Sequence, residues 1–233
     1  MPDSIIQPTL SIITPVLNGA DFIISCIENV IQQNCPEIEH LIMDGGSTDG
    51  TVDIIKSYAA RFRHIRWLSE KDQGQSDAMN KGIRMARGDI IGFLNDDDYY
   101  EPAVLPRVLS AFRSLPKPAL LVANCNVRDE GGHVTFVNTP NRLKFTDLLM
   151  GDMGRFPWNP SAYFYHRSLH NRIGLYDTNM HMHMDIDFLL RAVPSAHVRY
   201  IDETWGNYRC IPGTKTYSLI QAGQRSNAES RLI

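Results

Sequence analysis

Gly88-Asp89-Ile90-Ile91-Gly92-Phe93-Leu94-Asn95-Asp96-Asp97-Asp98-Tyr99-Tyr100 is the stretch from which the rest of this 233-residue chain is read. Ile90, Ile91, Phe93 and Leu94 form a short apolar run, which predicts a strand buried on both faces of a parallel sheet. Such a strand delivers Asp96, Asp97 and Asp98 together at its carboxyl end. Three adjacent carboxylates repel one another, and desolvation adds to the cost. A hard divalent cation, Mn²⁺ or Mg²⁺, removes that penalty. Mg²⁺ is usually held by one or two carboxylates plus substrate phosphates, so the cluster implies a phosphorylated ligand. A solvated acidic turn is the competing reading. Position favours the ligand, because open α/β sheets bind outside the carboxyl ends of their strands.

Upstream, residues 10–14 read as a strand stopped by Pro15. Ile23, Ile27, Val30 and Ile31 then share a helical face, with Asp21 as its expected cap and Pro36 closing it. Residues 38–43 predict a second strand, and Val52, Ile55, Ala59 and Phe62 mark a second helix. Residues 65–68 predict a third strand, and Met79, Ile83 and Ala86 a third helix. The order β-α-β-α-β-α-β predicts an α/β fold, a three-layer α/β/α arrangement around a mostly parallel sheet. Downstream the pattern is less regular. Residues 104–112 read as helix, 119–123 as strand, and 127–137 as a hairpin turning at Glu130-Gly131-Gly132. Residues 185–193 predict a short helix and 197–201 a strand, and the polar last dozen residues are expected to be mobile.

The composition is that of an ordinary soluble globular protein, and a net charge of −3 gives no general attraction to nucleic acid. Cys26, Cys35, Cys125 and Cys210 show no C-x-x-C spacing, so reduced thiols in a cytoplasmic chain are expected. Residues 1–8 lack the pattern of a signal peptide, and no apolar run approaches the ~18 residues that span a bilayer.

The loops carry the chemistry. Asp44-Gly45-Gly46-Ser47 is a strand-to-helix turn in which Ser47 or Asp49 is placed to cap the next helix. Its glycines do not fit G-x-G-x-x-G, and no G-x-x-x-x-G-K-[ST] loop is present. Asp44, at a strand end, can accept a hydrogen bond from a base N–H. Asp72 and Lys81 bracket the start of the third helix, a place that favours anions, though Lys81 reads equally well as a surface lysine.

Four loops together resemble the family 2 glycosyltransferases: Thr14-Pro15-Val16-Leu17-Asn18, the loop 44–51, Glu70-Lys71-Asp72-Gln73-Gly74 through Asn80-Lys81-Gly82, and Leu94-Asn95-Asp96-Asp97-Asp98. The resemblance implies a GT-A (Rossmann-like) fold, a nucleotide-activated sugar donor and inversion at the anomeric carbon. It implies one domain over 1–233, with 1–102 holding the nucleotide-sugar and 103–233 the acceptor and the base. Within the family the wording is similar to bacterial exopolysaccharide, capsule and O-antigen enzymes.

By the same resemblance Thr14, Pro15, Asn18 and Asp44 hold base and ribose, Asp72 contacts the base, and Lys81 lies on the diphosphate side. Asn95-Asp96-Asp97 stands in the place of the family's D-x-D, which makes Asp97 the main metal ligand with Asp98 beside it. Asn95 replaces the usual first Asp, so ribose contact passes to Asp96. Likewise Gly45 stands where the family commonly has a second Asp, leaving Asp44 alone. Met184-Asp185 matches the family's late Glu-Asp pair, which makes Asp185 the general base. Inversion needs one carboxylate to take the acceptor's proton, and the cation neutralises the leaving diphosphate. Asp185 also suits a plain helix-capping role.

His181 and His183, two apart, face one way in an extended segment, as acceptor contacts or metal ligands do. Trp158, Asn159 and Tyr163 form a Pro-stiffened aromatic segment suited to stacking on an acceptor sugar or to packing. The expected donor is a UDP-sugar, with GDP and dTDP open. The expected acceptor is a glycan or a lipid-linked saccharide, with peripheral contact at the inner membrane. Two other readings fit the sequence less well. A sugar-1-phosphate nucleotidyltransferase carries G-x-G-T-[RK] after its first strand, which Thr14-Pro15-Val16-Leu17-Asn18-Gly19 lacks. A catalytically silent binding subunit has no need of both Asp97 and Asp185.

Overall fold

Alternation along β1 (Leu10–Val16) decides what lies on each side of the sheet, because successive side chains of a strand point to opposite faces. In this computed structural model, which describes residues 8–151, 153–215 and 217–218, Leu10 and Ile12 pack against α1 (Ile23–Gln32) and α4 (Val104–Phe112). Ile13 points the other way, to Met79 and Ile83 of α3 (Gln75–Met85). The next strand, β2 (Ile38–Asp44), repeats the division. Ile42 packs with Ile55 of α2 (Thr51–Arg61), while Leu41 and Met43 join the α3 side. Gly82 permits the close seat of α3, since a Cβ there would collide with Ile13. The expected terminal tail lies outside the described residues.

The sheet runs β3 (Ile65–Ser69), β2, β1, β4 (Ile90–Phe93), all parallel, as the sequence predicts. The chain therefore winds outward from β1 to β3 and then returns to the far side of β1. Beyond β4, β8 (Tyr163–His166) runs antiparallel, followed by β6 (Ala119–Arg128), β9 (His197–Arg209) and β5 (Tyr99–Tyr100). β6 and β9 pair in parallel, and β7 (Val134–Asn138) folds back on β6 as the expected hairpin.

Both β6 and β9 are longer than the apolar runs that predict them. α5 (Phe145–Leu149) and α6 (His170–Ile173) are short, and α7 (Met184–Ala192) buries Phe188 and Leu189 in the α3-side core. Asp21 does not cap α1, whose first turn is preceded by Phe22 without a side-chain cap. No disulfide links the four cysteines. Among the described residues no helix is long and apolar enough to cross a membrane.

Candidate active site

The reversal of winding between β1 and β4 leaves their carboxyl ends diverging, and a crevice opens there. It is a cavity of about 540 Å³. Pro15 at the end of β1 and Asn18 just beyond it line the crevice, and Asn95, Asp96 and Asp97 follow β4 into it. Gly74 and Gln75, where α3 begins, add a third wall. The second half of the chain supplies residues 156–160, the approach and first turn of α7 from His181 to Ile186, and Gly213 to Lys215.

Asp96 and Asp97 are half-buried at this rim. Burial pushes Asp96 up to about 7, with the charge of Asp98 adding to the shift. Asp97 is also held well above the ordinary range, first by burial and then by Asp98 and Asp96. Arg209 counters part of this: its guanidinium donates to the Asp97 carbonyl and lies 5.3 Å from the Phe22 ring centroid. Nearby Gly19 is a contact point, since a side chain on it would strike the Asp96 carboxylate. Among the described residues no cluster of three or more metal-ligating side chains forms. Two hard, mutually repelling carboxylates nonetheless suit a Mn²⁺ or Mg²⁺ ion whose remaining ligands are phosphate oxygens and water.

Asp98, the other carboxylate expected to hold the cation, stands apart from these two. It is fully buried and does not line the cavity. Its Oδ2 accepts from Asn95 Nδ2 at 3.0 Å and Asn159 Nδ2 at 2.7 Å, and its Oδ1 accepts from the Arg209 backbone N–H at 3.0 Å. The carboxylate is a brace between three segments.

Thr14 also stands apart, for a different reason. Strand alternation turns it to the α1 side, away from the cavity, where its hydroxyl is 2.9 Å from His40 Nε2. Pro15, one residue on, faces the cavity as expected. Asn18 also lines it, in a left-handed conformation (φ 53°). The Asn18 N–H donates to Ser47 Oγ at 2.7 Å, and its Oδ1 accepts from the Thr48 N–H at 2.9 Å, tying the β1 and β2 loops together.

Asp44 and Asp72 divide otherwise than expected. The Asp44 Oδ2 accepts from the Gly46 and Ser47 N–H groups at 3.0 and 3.2 Å and from the Ser69 hydroxyl at 2.7 Å. It is buried in its own turn and absent from the cavity wall. Asp72 does line the cavity, held by the Gly74 N–H at 2.9 Å, and its carboxylate occupies the space a side chain on Gly45 would need. Thus a carboxylate from the β3 loop stands where a side chain at 45 would project.

Lys81 is likewise turned away. It pairs with Glu70 at 3.0 Å and Asp77 at 3.3 Å, and it does not line the cavity. The lysine that does is Lys215, whose Nζ donates to the His181 carbonyl at 2.8 Å and to Gln75 Oε1 at 3.2 Å. Neither Lys215 nor Arg209 carries a sequence signal. Each reaches the site from more than a hundred residues away.

Asp185 sits in the first turn of α7 and lines the cavity. One of its oxygens accepts the Ile186 N–H at 3.0 Å. Tyr163 lies beside it, buried, with its ring stacked on Phe188 at 6.0 Å. Burial pushes the Tyr163 phenol up, and the charge of Asp185 adds to that. His181 and His183 border the same cavity, as does Trp158, on which Phe136 stacks with centroids 4.8 Å apart.

The sequence profile of Glycosyl transferase family 2 matches residues 11–174. The chain is 30% identical over 222 residues to the uncharacterized glycosyltransferase EpsJ of Bacillus subtilis (strain 168), covering 90% of this chain and 63% of EpsJ. Its fold is similar to S. aureus TarS residues 1–349 in complex with UDP-GlcNAc, with a TM-score of 0.68 and 18% identity, covering 86% of this chain and 58% of that one. It is similar too to the mannosyltransferase PcManGT from Pyrobaculum calidifontis in complex with GDP-Man and Mn²⁺. There the TM-score is 0.69 and the identity 17%, covering 94% of this chain and 61% of that one.

Proposed function

Since the chain belongs to glycosyl transferase family 2 and has the GT-A fold, we propose that it moves a sugar from a nucleotide-diphosphate donor to a hydroxyl, with inversion. The observation that carries the reading is that Asp96, Asp97 and Asp185 all line one cavity at the carboxyl ends of β1 and β4. The UDP-GlcNAc and GDP-Man bound by the two similar structures support a nucleotide-sugar, and a UDP-sugar is the first candidate.

Pro15 and Asn18 hold the nucleoside, and Asp72 takes the base-reading position for which Asp44 is too enclosed. Asp97, with Asp96, holds the divalent cation. When bound, Mn²⁺ or Mg²⁺ supplies charge neutralisation for the departing diphosphate. Lys215 supplies a cation at the cavity where Lys81 does not reach. Asp185 takes the proton from the acceptor hydroxyl as the new bond forms, and a single such carboxylate suffices for inversion. Residues 1–102 provide the donor side and 103–233 the acceptor side of one domain. The acceptor is a glycan or lipid-linked saccharide, met by a cytoplasmic enzyme at the inner face of the membrane.

Replacing Asp185 with Asn separates chemistry from binding. UDP-sugar binding in the presence of Mn²⁺ persists, while transfer falls by about 10²–10⁴. Near wild-type transfer by Asp185→Asn would remove Asp185 from the role of base.

A further inference from the structure

The carboxyl ends of the strands carry the cavity, and their amino ends carry a concentration of positive charge. β1, β2, β3, β4, β6 and β9 all start at that opposite edge of the sheet, and β8, running the other way, ends there. The segments that meet at it are 33–39, 61–66, 84–89, 113–118, 166–173 and 194–197. Two ion pairs within them are neutral: Arg66 with Glu39 at 2.6 Å and Lys117 with Asp89 at 2.7 Å. The remaining anion is Glu37. Against it stand seven arginines, Arg61, Arg63, Arg84, Arg87, Arg113, Arg167 and Arg172, none of them ion-paired among the described residues.

Seven against one gives a local charge of +6 in a chain whose net charge is −3. Subtracting Asp3, the only charged side chain in residues 1–7 ahead of β1, leaves +5. Helix ends account for part of the pattern, since Arg61, Arg84 and Arg113 complement the dipoles of α2, α3 and α4. Each such end carries only about half a negative charge, so the pole stays positive.

The arginines are also spread in two dimensions. Arg61 and Arg113 come from helices on the α1 side, and Arg84 and Arg172 from the α3 side. Arg63, Arg87 and Arg167 lie between them on the sheet edge. This spread suits a plane of negative charge better than one linear strand. No exposed large apolar side chain lies on it, so contact is electrostatic and nothing inserts.

We infer that the amino edge of the sheet is a docking surface for a bilayer rich in anionic headgroups. Clusters of four to eight basic side chains attract anionic leaflets in this way, each changing partition about fivefold. β1 is seven residues long, about 23 Å, so the cavity opens on the side away from the bilayer. The surface does not depend on the proposed transfer, but an acceptor anchored in the same membrane would have to project about that far.

The test is co-sedimentation of the full chain with vesicles of phosphatidylcholine alone or of phosphatidylcholine and phosphatidylglycerol in equal parts. The wild type is expected to sediment with the anionic vesicles and not the neutral ones, and to release as salt rises. Arg63→Gln/Arg87→Gln is expected to lose about twenty-fivefold in partition. Arg142→Gln/Lys144→Gln removes the same charge from the α5 stretch and is expected to stay within about twofold of the wild type. All four side chains are exposed, and an unchanged melting temperature shows that the variants fold. The inference is overturned if the wild type does not sediment with anionic vesicles at low salt, or if both double variants lose partition equally. Retention on duplex DNA without vesicle binding would give the pole to a nucleic acid and overturns it as well.

Discussion

The side-chain amide of Asn159 donates to the carboxylate of Asp98 at 2.7 Å, across 61 positions of sequence, with both groups buried. The bond joins the loop that carries Asp96 and Asp97 to the aromatic segment 156–160 on the other wall of the cavity. The Arg209 N–H donates to the other oxygen at 3.0 Å, so this one carboxylate joins three segments that meet at the cavity.

Asp98 and Asp97 are therefore expected to respond oppositely to mutation. Asp98→Ala leaves the buried donors of Asn95, Asn159 and Arg209 without an acceptor and should cost about 2–4 kcal/mol, read from the urea midpoint at unchanged m-value. Asp97→Asn removes a charge from a repelling group, so stability should hold or rise while Mn²⁺-dependent donor binding is lost. Equal destabilisation by the two would contradict this division of labour.

The two lysines offer a second contrast. Burial works against the charge of Lys81, but Glu70 and Asp77 outweigh it and hold the pKa above its ordinary value. That ammonium is held by Glu70 and Asp77 and does not line the cavity, so Lys81→Ala should change donor affinity by less than about twofold. Lys215→Ala should weaken donor binding by about tenfold, in line with a charge-assisted hydrogen bond. Calorimetric titration with UDP decides between them.

His40 gives the fold an acid-sensitive point. Burial, with a smaller contribution from His64, pushes it down to about 3, so the folded state holds it neutral against the Thr14 hydroxyl. The unfolded chain binds a proton near the ordinary value of about 6.5. A depressed base of this kind contributes stability that is complete above pH 6.5 and lost as pH falls toward 3. The melting temperature of the His40→Gln variant should consequently fall less steeply than that of the wild type between about pH 6.5 and 4.

The parallel half is legible because its strands are short segments rich in apolar and β-branched residues and each helix carries a 3.6-residue apolar stripe. β9 was read as only five residues because Asp202, Glu203 and Thr204 break its apolar pattern, yet pairing with β6 and β5 carries it on to Arg209. The cavity residues Pro15, Asn18, Asp72, Asp96, Asp97 and Asp185 were within reach of motif and position. Thr14, Asp44, Asp98 and Lys81 do not line the cavity, because a motif gives order along the chain and not the direction of a side chain. Strand pleat turned Thr14 away, and local hydrogen bonds enclosed the other three. Arg209 and Lys215 reach the site only through long-range packing, which leaves no trace in local spacing.

β8, drawn from the second half of the chain, lies directly against β4 of the first. A fragment ending before β8 would expose the unpaired backbone of β4, an edge that invites self-association. It would also leave Asp98 without its amide donors from Asn159 and Arg209. The first hundred residues are therefore expected not to behave as a detachable module: expressed alone they should aggregate, and a chain nicked near residue 102 should recover its shape only when both pieces are present.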